Sequence, residues 1–411
     1  MDYVFYICIV IIFLTGLFLF FFYKKPSNSH DVKDLYYEAL DLMLVGKKKS
    51  AYKIFKDIIN NDSNNIKAYL YLGQILRESG DSKGALKIHK ALLLRDNLNN
   101  YDLILIYKNL SLDYYFLEDL EESIMYCDKI LELNKSSEWS VLQIIKLYKQ
   151  LNDWPNAIKY LELLFEIKGK RDNKKLALYK IQEGRILIQK SLFEKARDSF
   201  EQALEIDSNL YVVYYFIGNS YASESNEVYE KGISIDTQNI DNSLSMEEES
   251  QQYKIEAEKI LKNAIPLWVD FIEHMPEYSW MILPTLKDAL QALNEYDKIE
   301  KYLIQVNRTN PNNVDILSHL ADFYANKGDV NKAGGTISKA LESNSNSLIA
   351  QLKSFKIKLL KNSSDKDFSV SIDKIISSLL KDKRYKQYKR SFSDKEMKWL
   401  FRSKHSNEDN K

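Results

Sequence analysis

The chain has 411 residues, 45% of them hydrophobic and 28% charged, with 58 basic side chains balanced by 58 acidic ones. Such a length exceeds one compact core and implies several domains or an elongated repeat array, while the apolar content excludes disorder. Neutral overall charge gives no global affinity for nucleic acid, 12 Gly and 6 Pro are too few for a fold dense in turns and strands, and two cysteines, Cys8 and Cys127, cannot build a disulfide framework.

Residues 3–23 carry no charge, and roughly 20 apolar residues suffice to cross a bilayer. The run is too long for an ordinary signal-peptide core, and no small-x-small cleavage site follows it. Lys24 and Lys25 come directly after it, whereas the N-terminal side carries Asp2 and neither Lys nor Arg, so the positive-inside rule puts the body of the chain in the cytoplasm. The expectation is a transmembrane anchor over 1–23 and a linker over 24–31.

From there self-similarity dominates. Residues 32–65 written above 66–99 fall into register at a period of 34, with Ala39 on Gly73, Gly46 on Gly80, Ala51 on Ala85 and Phe55 on His89. That is the tetratricopeptide pattern of paired antiparallel helices. The two helices approach closely only where side chains are small, and a large residue fills the remaining space. Further copies begin near Ile104 (Ser111, Ser123, Cys127), Glu138 (Ala157, Leu161, with Ile145 at the small position), Ala177 (Gly184, Ala196, Phe200) and Tyr211 (Gly218). Within the last, 228–233 reads as a shortened second helix and 237–252 as a solvated polar loop. The pattern resumes at Ala264 to Trp268, with weaker copies near Trp280 and Val314. The predicted organisation is repeats over 32–221, an irregular repeat and acidic insert over 222–255, repeat-like pairs over 256–345, C-terminal helices over 346–384 and a small module and tail over 385–411. The fold class is all-α, a tetratricopeptide-repeat superhelix with an N-terminal transmembrane helix and a small metal-free C-terminal module.

No catalytic constellation is legible. The five histidines are scattered, and no metal-binding His-Glu-x-x-His, phosphate-binding Gly-x-x-x-x-Gly-Lys or nucleophile Gly-x-Ser-x-Gly occurs. His89 and Cys127 occupy packing positions. The expectation is a protein that is not an enzyme and needs no cofactor. A binding groove is legible instead, because successive first helices of such repeats line one concave face. The positions on that face include Lys67, Gln74 and Arg77; Lys108, Leu112 and Tyr115; Leu142, Lys146 and Lys149; Ile181 and Arg185; Tyr215 and Asn219. They hold basic side chains and no acidic one, which favours an acidic segment with apolar anchors. Asp288, Asp315 and Asp322 are expected to reverse the sign in the last repeats.

Residues 66–208 resemble the lipopolysaccharide assembly protein B family (LapB, also YciM) of Gram-negative bacteria, through Leu72, Gly73, Gln74 and Ile75, then Lys87, Ile88, His89 and Lys90, and Asp153 to Ile158. The resemblance extends over most of the chain apart from the insert at about 222–255, because the order of anchor, repeats and short terminal module is shared. That family ends in a rubredoxin-like knuckle; Tyr385, Phe392 and Trp399 stand at its aromatic positions, but its four thiolate positions hold Gln387, Arg390, Phe401 and Lys404. Arg, Lys and Phe offer no soft anionic donor, so no metal is expected there. By resemblance the chain is a single-pass protein of the bacterial inner membrane, regulating lipopolysaccharide synthesis by bringing the deacetylase LpxC to the protease FtsH, with PbgA as a further partner. The alternative is a membrane-anchored assembly or co-chaperone scaffold binding an acidic peptide of an envelope complex.

Overall fold

The computed structural model describes residues 32–238, 244–362 and 373. These form helices arranged in two units, which meet in sequence at Leu147 and Tyr148. Among the described residues no helix is long and apolar enough to cross a membrane. Residues 1–23, expected to do so, and 385–411, with Gln387, Arg390, Phe401 and Lys404, lie outside them.

The first unit contains three helix pairs: α1 (Val32–Leu44) with α2 (Lys48–Asn61), α3 (Ile66–Glu78) with α4 (Ser82–Leu92), and α5 (Asn100–Phe116) with α6 (Leu120–Leu133). The helix α7 (Glu138–Gln150) follows. Local sequence sets the helix starts. Side chains of Asn65, Asp81, Asn99 and Asp119 each accept from the backbone N–H three residues on, satisfying donors that a first turn leaves open. Within the first two pairs the chain reverses through a left-handed glycine, Gly46 (φ +75°) and Gly80 (φ +94°), where no Cβ penalty arises, and within the third through Glu118 (φ +63°).

The small-against-large rule is realised as expected. A Cβ on Gly73 would collide with the His89 ring, and Ala39, Ala51 and Phe55 are fully buried together. In the third pair Ser123 Oγ donates to the Ser111 carbonyl at 2.8 Å, and Ser111 Oγ lies 3.0 Å from Cys127 Sγ. Cys127 is therefore a packing residue, with burial pushing its thiol up to about 12.

The second unit starts near α8 (Trp154–Lys168), whose N-cap Asp153 accepts from Asn156 N, and continues with α9 (Asn173–Gln189) and α10 (Phe193–Ile206). Gly184 meets Phe200 as Gly73 meets His89. The next repeat departs from expectation. Its first helix, α11, runs as a single element over Val212–Gln238, and most of the stretch expected to be a solvated loop is helical, in α12 (Leu244–Lys262). The second helix of the repeat is α13 (Ala264–His274), whose Trp268 lies against Gly218 and donates from Nε1 to Asn219 Oδ1 at 3.1 Å. The far half of α11 pairs instead with α12: Ser225 Oγ donates to the Ala257 carbonyl at 2.7 Å, and Gly232 lies against Ser250 and Tyr253. The insert is thus a helical hairpin set inside an otherwise regular repeat, and 228–233 is part of α11.

A 3-10 turn (Pro276–Met281) leads to α14 (Leu283–Ala292), α15 (Lys298–Thr309), α16 (Val314–Asn326), α17 (Val330–Ser343) and α18 (Leu348–Asn362). Asp322 was expected on a concave acidic face, yet it is buried. It accepts from Lys353 and Lys356, both at 2.8 Å, with Lys287 at 3.8 Å, and the two α18 lysines also reach Asp373 at 3.3 and 2.6 Å. Burial alone would raise its carboxyl, but the facing ammonium groups outweigh burial and hold it far below the usual carboxylate range. A depressed folded value contributes stability that is present above the unfolded value of about 3.9 and is lost as pH falls below it. Asp322→Asn should therefore lower the melting temperature of the second unit at neutral pH. The gap to the parent should shrink as pH falls from about 4, and a gap unchanged down that range would refute the assignment.

Candidate functional site

The first helices of the first unit enclose a pocket of about 400 Å³, lined by Tyr36 of α1, Lys67, Leu70, Tyr71, Gln74 and Arg77 of α3, and Tyr101, Leu105, Lys108, Asn109 and Leu112 of α5. It brings together five of the expected groove residues: Lys67, Gln74, Arg77, Lys108 and Leu112. No lining residue is acidic. Two of the cations stand against rings, Lys67 5.9 Å from the Tyr101 centroid and Lys108 4.8 Å from that of Trp139, at separations where cation–π attraction operates. Gln74 Nε2 donates to Glu78 Oε1 at 2.8 Å, which fixes its amide at the rim.

Arg77 differs from the expected open groove cation. It is buried, and its guanidinium donates to Asp113 Oδ1 at 2.6 Å and to the Asn109 side chain at 3.3 Å. The other oxygen of Asp113 lies 2.5 Å from His89 Nδ1, and the Leu70 carbonyl oxygen lies 3.2 Å from His89 Nε2. One carboxylate thus lies between a guanidinium and an imidazole in the interior, and it largely neutralises the Arg77 charge. The open positive field of the pocket comes from Lys67 and Lys108. Leu70, Leu105 and Leu112 supply the apolar wall. Tyr36, Tyr71 and Tyr101 were not singled out from the sequence; Tyr36 and Tyr71 pack edge-on with centroids 5.9 Å apart, and burial first and then Tyr71 push the Tyr36 hydroxyl well above its ordinary value.

The face continues on α5 and α7 within the same unit. Lys146 Nζ stands 3.9 Å from the Tyr115 centroid, and Leu142 is exposed beside it. In the second unit the expected groove residues separate. Lys149 stands 5.6 Å from the Tyr179 centroid, and Arg185 donates to Gln182 Oε1 at 2.8 Å and lies 5.8 Å from the Phe216 ring. Ile181 and Tyr215 are not groove-lining: both are buried in the core, Tyr215 against Phe216 and Phe271. Asn219 accepts from Trp268 and serves the interior. Phe271 and Trp268 of α13 reach Tyr215 and Asn219, a packing that repeat spacing alone does not reveal. Among the described residues no three His, Cys, Asp or Glu side chains gather as a metal would require.

Residues 179–210 match a family model described as a tetratricopeptide repeat. Across a much longer span the chain is similar to the lipopolysaccharide assembly protein B of Haemophilus influenzae, at 23% identity over 339 residues, covering 79% of this chain and 76% of that protein. The protein of the same name from Escherichia coli K12 is 18% identical over 317 residues, covering 75% and 79%. Among solved structures, the C-terminal part of a TPR repeat-containing protein from Cytophaga hutchinsonii aligns with 77% of this chain and 98% of its own at 14% identity and a TM-score of 0.35. The described chain is all-α, carries one stretch that matches a tetratricopeptide repeat, and is similar along three quarters of its length to lipopolysaccharide assembly proteins.

Proposed function

We propose that the chain is an adaptor regulating lipopolysaccharide assembly, tethered to the inner membrane by residues 1–23 with its bulk on the cytoplasmic side. The similarity to two lipopolysaccharide assembly proteins along three quarters of the chain carries this reading. The first-unit pocket is its docking surface, where Lys67 and Lys108 attract an acidic segment and Leu70, Leu105 and Leu112 receive its apolar anchors. In this reading the partners brought together are LpxC and FtsH, with PbgA engaging the membrane segment, and the 385–411 module works without a metal.

Capture from solubilised membranes at low salt tests the pocket. Lys67→Glu with Lys108→Glu should weaken the partner complex at least tenfold, or about 1.4 kcal/mol. The loss should shrink in high salt, because open charges are screened within about 10 Å at 0.1 M. Melting should change little, since neither ammonium is paired with a buried carboxylate. A double reversal that leaves the low-salt complex intact would exclude this surface. Recovery of an unrelated envelope complex in place of LpxC or FtsH would favour the assembly-scaffold reading over the regulatory one.

A further inference from the structure

The turn joining α1 to α2 has the same backbone as its counterpart one repeat later but the opposite chemistry. Gly46 and Gly80 both take positive φ, at +75° and +94°. Around Gly80 the chain reads Glu78, Ser79, Asp81, Ser82, Lys83; around Gly46 it reads Leu44, Val45, Lys47, Lys48, Lys49. Asp81 caps α4 with its side chain, whereas Lys47 at the start of α2 makes no such bond. Asp119, Asp153 and Asp329 cap α6, α8 and α17 in the same manner as Asp81. Folding the turn therefore requires neither the apolar pair nor the lysines, and the exchange of a capping acid for Lys forgoes about 1 kcal/mol.

Among the described residues the repeat stack engages Lys48 and leaves Leu44, Val45, Lys47 and Lys49 exposed. Leu44 is 85% and Val45 67% exposed. Lys47 and Lys49 are exposed too, while Lys48 pairs with Glu78 Oε2 at 3.0 Å. An apolar tip ringed by lysines suits the boundary of an anionic bilayer, where aliphatic side chains enter the headgroup layer and ammonium groups meet phosphates. We propose that the Leu44–Lys49 tip is a second membrane contact, docking on an anionic lipid surface.

The proposal rests on the reading of residues 1–23 as a membrane anchor, and chain length permits it. The eight residues 24–31 reach at most about 29 Å, and α1, with 13 residues, is about 20 Å long. The tip at the far end of α1 can therefore return to the same surface. Contact is confined to the tip, because Asp34, Glu38 and Asp41 are exposed along α1 and would be repelled by the same lipids. Two contacts would fix the orientation of the neighbouring pocket relative to the membrane, which a single attachment would leave free.

The test uses the full chain with Cys8→Ser and Val45→Cys, labelled with a fluorophore and inserted into lipid discs of phosphatidylcholine with or without phosphatidylglycerol. Cys127 is fully buried and stays unlabelled. Quenching of the label by neutral acrylamide in water should fall at least about fivefold on the anionic discs, since each lysine near such a surface contributes about that factor. Lys47→Glu with Lys49→Glu should restore quenching while the chain stays in the disc. A label at Leu94→Cys, also highly exposed, should be quenched equally in both lipids. Equal quenching at position 45 in both lipids, with the chain retained, would overturn the tip contact and leave the anchor standing. Protection that is the same in anionic discs, neutral discs and detergent would also overturn it, showing the tip covered by the chain's own residues or a second copy. Loss of the chain from both discs would overturn the anchor, and the tip contact with it.

Discussion

Asp113→Ala should destabilise the first unit by about 3–5 kcal/mol, the range for removing one partner from a buried ion pair. Asp113 is fully buried and faces Arg77 with one oxygen and His89 with the other. Removing it strands the guanidinium away from water and takes the carboxylate from beside the His89 ring, a cost well above the bonds lost. Repeat arrays unfold in parts, so the measurement is the denaturant midpoint of the transition that reports the first unit. An apolar replacement of all three, Arg77→Leu, His89→Phe and Asp113→Leu, should recover most of the loss, because Phe already fills the His89 register at Phe55 and Phe200. Asp113→Ala costing under about 1 kcal/mol would show that the network is solvated and not a buried ion pair.

Trp268→Ala should cost the second unit a comparable 3–5 kcal/mol, the usual price of removing a fully buried aromatic. Its ring covers Gly218 and its Nε1–H reaches Asn219, so it closes the helix pair on either side of the inserted hairpin. Trp268→Phe keeps most of the packing and leaves Asn219 Oδ1 without that donor, for a smaller loss of about 1–3 kcal/mol. The order Ala well below Phe below parent is expected in denaturant titrations. Equal losses for Ala and Phe would mean that the hydrogen bond, not the ring, joins α11 to α13.

The helix pairs were legible because tetratricopeptide packing depends on residue volume at fixed spacing. Gly73 under His89 and Gly184 under Phe200 are contacts within one repeat, and the period places them. The inserted hairpin was not legible, since the acidic composition of 237–252 outweighed a weaker signal, the spacing of Ser250, Tyr253 and Ala257 on one face of α12. The site was legible in part. Lys67, Gln74, Lys108 and Leu112 line the pocket as their register implies. Arg77 and Asp322 have groove positions but are consumed by counter-charges from other helices, Asp113 in one case and Lys353 with Lys356 in the other. Such pairs link residues some thirty positions apart, beyond the reach of a helix-face argument. An Asp and a His at apolar repeat positions were the available hint.

Regulation of lipopolysaccharide assembly through the first-unit pocket would be read out most directly as lipopolysaccharide per cell. Three strains suffice: one lacking the chain, one complemented with the parent, and one complemented with Lys67→Glu and Lys108→Glu at matched protein level. Loss of the chain should shift lipopolysaccharide content together with LpxC abundance, the parent should restore both, and the charge-reversed chain should restore neither. Lipopolysaccharide unchanged between the strain without the chain and its complemented parent would contradict that regulation.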